Sequence, residues 1–262
     1  MFRKKILATL LCLFASSAAL SESLARPENQ SNDWTFTAAP YIWAMNMNGA
    51  VTTGGRRARV DESFSELLQH LNFAGMLWLD GTHDKFGVFL NVIYAVLRYN
   101  TQDDIASVHA KIRYGITSGG LSYEIYKRYF NTIHSIAIAP YAGFRYTEND
   151  VQVKVNIATF SPTITNDQYW TDPIIGARFN FDISKAWSAI IAGDIGGVNA
   201  SSQHSYNVQA LLGYSPQSHL TDTTFYIGYR LLDQLYVTGS GRDYYNWNMK
   251  LFGPIVGVAI KF

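Results

Sequence analysis

The 262-residue sequence predicts an all-β fold, an antiparallel transmembrane β-barrel of about ten strands with a short helix in its first long loop. Three observations lead there. Counting back in twos from Phe262, the residues Ile260, Val258, Val256, Pro254 and Phe252 are all apolar, and side chains in a strand alternate between faces. Charged residues make up only 16% of the chain and aromatic residues 15%, against about 25% charged residues in ordinary soluble domains. Beyond the N-terminal stretch no apolar run approaches the roughly 18 residues that a membrane-spanning helix needs, so a crossing of the bilayer falls to strands. A secreted soluble β-domain is the alternative.

The N-terminus predicts export. Arg3, Lys4 and Lys5 form a basic start, Ile6 to Ala19 an apolar run too short to span a bilayer, and Ser23-Leu24-Ala25 a small-x-small cleavage site. Cleavage is expected after Ala25, with Ala19 and Ser21 as alternatives, which gives a leader over 1–25 and one barrel domain over 26–262. Cys12 lies inside the apolar run, which continues past it, so lipidation is not expected and the processed chain has no thiol or disulfide chemistry. Removing the leader takes away three basic residues and one acidic residue, and the formal charge moves from +1 to −1. That balance gives no support for nucleic-acid binding.

Ten segments of period-two alternation follow, at 34–47, 72–82, 86–100, 108–126, 133–149, 168–182, 187–197, 204–214, 222–237 and 246–262. Short connections at 83–85, 127–132, 183–186 and 215–221 alternate with longer ones at 48–71, 101–107, 150–167, 198–203 and 238–245. With the N-terminus in the periplasm, the short turns fall on the periplasmic side and the longer loops outside. An even strand number then returns the last strand to the periplasm.

Facing follows from the alternation. Phe86, Val88, Leu90, Val92, Tyr94 and Val96 share one face. Ile136, Ile138, Pro140, Ala142, Phe144 and Tyr146 oppose Tyr141, Gly143, Arg145 and Thr147, and Pro173, Ile175, Ala177, Phe179 and Phe181 oppose Asp172, Gly176 and Arg178. Phe225, Ile227, Tyr229 and Leu231 oppose Tyr226, Gly228 and Arg230. Trp34, Trp43, Tyr99, Tyr123, Tyr126, Trp170, Trp187, Tyr236 and Trp247 lie near strand ends and read as interfacial girdles.

The segment 48–71 breaks the pattern. Phe64, Leu67, Leu68 and Leu71 recur at helical spacing behind an acidic start, so a short amphipathic helix is expected, capped by Asp61 or Ser63. Two placements are open, a partial plug in the barrel mouth or a cover over its rim. Trp34-x-Phe36-x-x-x-Pro40-Tyr41-x-Trp43, Gly49, Val60-Asp61-x-Ser63-Phe64-x-x-Leu67-Leu68 and Pro140-Tyr141-x-Gly143-x-Arg145-Tyr146 resemble a family of uncharacterised Gram-negative outer-membrane proteins. The resemblance spans most of the processed chain, and its motifs are structural, so no activity passes to a residue. The last strand also resembles the closing strand of bacterial outer-membrane barrels. That resemblance implies that Phe262, Ile260 and Val258 form an assembly signal read by the barrel-assembly machinery.

Chemistry is sparse. No Gly-x-Ser-x-Gly elbow is present, and the neighbours in His134-Ser135 and His204-Ser205 point to opposite faces of a strand, so neither pair is its own dyad. Asp103-Asp104, His204 and Asp243 lack the Asp-x-His element of omptin-type rim proteases. The six histidines are scattered, so neither metal nor cofactor is expected. The facing assignments place Asp80, Lys111, Arg113, Arg145, Arg178, Asp194 and Arg230 in the lumen, with Asp172, and Glu124 if Gly119-Gly120 shifts the register. A basic lining favours anions in a water-filled pore, whereas paired Arg and Asp in a barrel this narrow favour a packed interior. The expected function is therefore a structural or small-solute barrel, porin-like, with outer-membrane lipid as its surroundings. The alternatives are a membrane-embedded hydrolase acting on lipid or peptide, or a binding protein using the 150–167 loop.

Overall fold

A computed structural model describes residues 33–102, 106–157, 163–216 and 222–262. The expected leader, Asp103-Asp104 and His219 lie outside the described residues. The strands are β1 (Thr35–Trp43), β2 (Asn46–Thr53), β3 (Arg56–Glu62), β4 (Leu71–His83), β5 (Phe86–Gln102), β6 (Ala106–Tyr123) and β7 (Tyr126–Tyr129), with helix α1 (Phe64–His70) between β3 and β4. They continue as β8 (Ser135–Ile157), β9 (Thr163–Asp182), β10 (Trp187–Gly196), β11 (His204–Tyr214), β12 (Thr223–Thr238) and β13 (Tyr245–Lys261). Neighbours in the wall pair antiparallel, and β13 returns to β1, closing a ten-strand barrel. Closure pairs the wall on both sides of each stave through the membrane, as a sheet in hydrocarbon requires, and leaves free edges on β3 and on the start of β4.

Thirteen strand segments make ten staves because two staves are each built from two segments and β3 pairs only with β2, outside the closed wall. β1 and β2 keep one register against β13, from Thr37↔Lys261 through Trp43↔Ile255 to Phe252↔Asn46. On the other side β1 pairs with β4 only up to Pro40↔Leu77, and β2 pairs with β3 instead. The second interruption is at Glu124-Ile125, where pairing with β8 slips by one residue between Ser122↔Tyr141 and Tyr126↔Ile138, a β-bulge.

Gly253 lies where β1 gives way to β2, and a Cβ there would sit 2.0 Å from the Ala44 carbonyl oxygen. Gly253→Ala must push two paired backbones apart. It is expected to lower the temperature at which the folded band disappears in heat-modifiable gel mobility. Gly193→Ala, with 3.4 Å to its nearest neighbour, is expected to leave that temperature nearly unchanged.

The outward face is apolar over a limited height. Phe86, Leu90, Ile175, Ile191, Val208, Ile227 and Val256 are exposed to the surroundings of the barrel. From Phe86 to Val96 the strand path, tilted as barrel strands are, covers about 25 Å of bilayer height. Trp34, Tyr123, Tyr126, Trp187 and Phe262 rim this band at the end that carries both chain termini of the barrel. Short turns connect strands at that end, at 84–85, 130–134 and 183–186.

The opposite end differs from expectation in two ways. The stretch 48–62, expected as a loop, forms most of the β2–β3 hairpin. The expected long loop at 150–167 is mostly strand, since β8 runs to Ile157 and β9 starts at Thr163. Together β5, β6, β8 and β9 project past the apolar band as an extended wing. Val151-x-Val153-x-Val155 carried the period-two signal for this, but its partner Asn166-Asp167-Gln168 is polar on both faces. Helix α1 does form. Its cap is Ser63, whose hydroxyl accepts from Glu66 N at 3.3 Å while Glu66 Oε2 accepts from Ser63 N at 2.7 Å. The bonds from the Ser63 hydroxyl and backbone hold the Glu66 carboxyl below its usual range. α1 covers the rim: Phe64 N donates to Asn46 Oδ1 at 2.8 Å, and His70 stacks on Tyr99 at 4.0 Å.

Candidate functional site: the barrel interior

Polar inward residues at mid-barrel come from several strands, and one contact, Arg230 to Asn91, crosses the lumen. Arg145 on β8 pairs with Asp194 on β10 at 2.7 Å, with side chains 1% and 3% exposed. Arg145 Nη1 also donates to Ser205 Oγ at 2.7 Å. Asp194 accepts further bonds from the Tyr141 hydroxyl at 3.0 Å and Asn207 Nδ2 at 2.8 Å. Arg230 on β12 donates to Asn207 Oδ1 at 2.8 Å and Asn91 Oδ1 at 3.3 Å, and stacks over the Trp43 ring. Asn91 Nδ2 donates to the Tyr41 hydroxyl at 2.8 Å. The network thus ties β5, β8, β10, β11 and β12 together through contiguous charge-assisted bonds and reaches β1 through the neutral Asn91–Tyr41 bond.

Two more expected interior residues form a second pair. Arg178 Nη1 donates to Asp80 Oδ1 at 2.9 Å, with the guanidinium over Trp78. Asp172, fully buried, accepts from Ser202 N at 2.9 Å. Within this set Arg145, Arg178 and Arg230 are matched by Asp80, Asp172 and Asp194.

Above the polar network, toward the wing, the lumen is filled by apolar groups. Ile93, Ile116, Leu232, Met249 and Leu251 are at most 1% exposed and pack with Trp43, Tyr114, Trp170 and Trp247. Trp170 stacks on Tyr236 at 4.4 Å, and Tyr114 on Trp247 at 5.7 Å. The girdle assignment does not hold for Trp43, Trp170, Tyr236 and Trp247. They face inward instead, because their strand positions share parity with the buried Ile255, Asp172, Gln234 and Met249. Proximity to a strand end does not fix a side chain's face. Below the polar network a vestibule of about 230 Å³ opens toward the short-turn end, lined by Thr37, Tyr41, Trp78, Ile190, Tyr226 and Arg230 among others. Asp80 and Arg178 keep 16% and 18% exposure there, so solvent reaches them from that side.

Lys111 and Arg113 do not join the interior. On β6 the inward positions are Tyr114, Ile116 and Ser118, which pair with Asn149, Thr147 and Arg145. Lys111 and Arg113 therefore take the outer face of the wing, where Arg113 ion-pairs with Asp150. The physical reason is a reversal of environment along one strand. Above the hydrocarbon the interior is apolar and the surroundings are polar, so Tyr114 and Ile116 turn in and the cations turn out. Glu124 lies at the bulge, its N–H donating to the Lys85 carbonyl at 2.8 Å, while the register across Gly119-Gly120 is unbroken. Asn91, Asn207, Ser205, Gln234 and Thr147 complete the interior network, with Gln234 Nε2 donating to Thr147 Oγ1 at 3.1 Å. Only their inward parity with Arg145 and Arg230 signals them in the sequence.

The histidine–serine neighbours diverge. Ser205 faces Arg145 inside, whereas His204 lies 3.5 Å from Asp233 and stacks on Tyr206. Ser135 donates to Asp182, and His134 bonds to Asn131 at 2.6 Å. Among the described residues no group of three His, Cys, Asp or Glu side chains is placed to hold a metal ion, and no helix is long and apolar enough to cross a membrane.

A closed antiparallel wall, apolar outside over one bilayer height and hydrogen-bonded inside, makes this chain an outer-membrane β-barrel. No family model matches the sequence, and no curated protein matches it. Among solved structures the chain is similar to the attachment invasion locus protein Ail of Yersinia pestis, at 9% identity over 87% of this chain and 98% of that one, with a TM-score of 0.33. The translocator domain of the autotransporter NalP from Neisseria meningitidis is similar at 12% identity over 89% and 90% of the two chains, with a TM-score of 0.33. An anion-selective porin from Comamonas acidovorans is similar at 7% identity over 88% and 100%, with a TM-score of 0.24. These likenesses are distant, and the properties of those proteins do not carry over to particular residues of this chain.

Proposed function

We propose that this protein is a structural outer-membrane barrel whose lumen ends blind. It has a vestibule on the periplasmic side, a seal of aromatic and aliphatic side chains toward the exterior, and an extracellular wing held by the barrel. The observation that carries this reading is the filled section of the lumen, where Ile93 and Ile116 of β5 and β6 and Leu232, Met249 and Leu251 of β12 and β13 are at most 1% exposed. The matched Arg and Asp residues support it, since a set without excess charge does not concentrate anions. Release of a small sugar or of chloride from liposomes containing the refolded protein is expected to be no faster than from empty liposomes. Faster release that scales with protein content overturns the reading.

The closing strand supports a second part of the proposal, that Phe262, Ile260 and Val258 serve assembly. Phe262 exchanges two backbone hydrogen bonds of 2.9 Å with Phe36, and its ring stacks on that of Phe36. Ile260 and Phe262 are 47% and 72% exposed on the lipid side, available to an assembly machine before the barrel closes. Deletion of Phe262 is expected to reduce folded barrel in the outer membrane while refolding in detergent still succeeds. Wild-type levels in the membrane contradict the role.

A further inference from the structure

On the outer face of the wing the register gathers basic side chains from three strands, two of them cations directly opposite one another. Arg98 of β5 pairs with Lys111 of β6, and His109 of β6 pairs with Lys154 of β8. Like charges facing each other across an antiparallel pair are destabilising. Among the described residues the nearby Asp150 is engaged with Arg113, and its cross-strand neighbour is Asp167. Among the described residues no carboxylate lies within 4.0 Å of Arg98, Lys111 or Lys154. Asn100, His109 and Gln152 fill out the same surface, and together these groups frame a hollow of about 270 Å³.

Position identifies the partner. The hollow begins one outward residue above Val96 and two above Tyr94, where the apolar band ends and Tyr94 meets Phe73. A side chain there meets neither hydrocarbon nor bulk water. It meets the headgroup layer of the outer leaflet. Lys and Arg stems can lie along the wall while their heads reach that layer. An anion that bridges Arg98, Lys111 and Lys154 removes the repulsion and gains charge-assisted hydrogen bonds, and phosphate suits both guanidinium and ammonium donors.

We propose that Arg98, Lys111 and Lys154 form a binding site on the outside of the wing for the phosphorylated headgroup of an outer-leaflet glycolipid. The proposal rests on the orientation of the barrel in the outer membrane and is independent of whether the lumen conducts.

The test uses the full barrel in a neutral detergent and the variant R98Q/K111Q/K154Q, whose substitutions lie above the membrane band. The readout is the midpoint of thermal loss of the folded gel band, with and without lipopolysaccharide. In detergent alone the variant is expected to melt above the wild type, because the facing cations are gone. With lipopolysaccharide the wild type is expected to rise and the variant to lose most of that rise, so the order of the two midpoints reverses. Chemically dephosphorylated lipid is expected to give no rise, and high salt to shrink it. An equal rise in both chains, or a full rise with dephosphorylated lipid, overturns the site. A full rise with inorganic pyrophosphate or with a soluble sulfated polysaccharide overturns the lipid as its occupant. A variant that melts no higher than wild type in detergent overturns the repulsion argument.

Discussion

Arg145→Ala is expected to cost about 3–5 kcal/mol of barrel stability, because it strands a buried carboxylate without its charge partner. Asp194 would keep its bonds from Tyr141 and Asn207, which are neutral donors and do not replace a guanidinium. The substitution also leaves Ser205 without its donor and opens a space at the centre of the interior. The measurement is the urea midpoint in detergent micelles, followed by heat-modifiable mobility or by tryptophan fluorescence. Arg145→Met combined with Asp194→Leu is expected to recover much of the loss, since paired apolar replacements of similar volume avoid the stranded charge. An unchanged midpoint for Arg145→Ala would mean that the pair is wet or unformed, and the packed interior would fall with it.

Trp247→Ala should have a comparable effect for a different reason. Its indole is 3% exposed and packs on Tyr114 and Trp170 within the seal. Truncating a buried Trp side chain typically costs about 3–5 kcal/mol through lost burial and the cavity left behind. Trp187, 44% exposed on the outer wall, supplies the comparison. Trp187→Ala is expected to move the same urea midpoint far less. Equal shifts for the two variants would contradict the assignment of one indole to the lumen and the other to the rim.

The two tryptophans also show how far the sequence could be read. Strand number, parity and the outward faces of β5, β8, β9 and β12 were legible because each carries an apolar residue at every second position, and on β8, β9 and β12 the alternate face includes an arginine. That pattern identifies Arg145, Arg178 and Arg230 as inward residues on local grounds. It fails on β6, where Ile112, Tyr114 and Ile116 are apolar and face in, while Lys111 and Arg113 face out. The rule that the greasy face meets lipid holds only over the height of the bilayer. Nothing local marks where that height ends. The girdle reading fails similarly for Trp43, Trp170, Tyr236 and Trp247, since an aromatic ring suits both an interface and a seal. The partners of the inward arginines come from strands distant in sequence, such as Arg230 with Asn91, and only the closed register brings them together. The rim placement of α1 likewise depends on β2 leaving β4, which no segment of the chain encodes alone.

The central claim is that the lumen is sealed between the periplasmic vestibule and the exterior. Planar-bilayer recording of the refolded wild-type protein tests it most directly. Insertion into the bilayer without stepwise conductance, under voltages and salts at which an open barrel conducts, is the predicted result. Stable conductance steps from protein that remains fully heat-modifiable would contradict the seal.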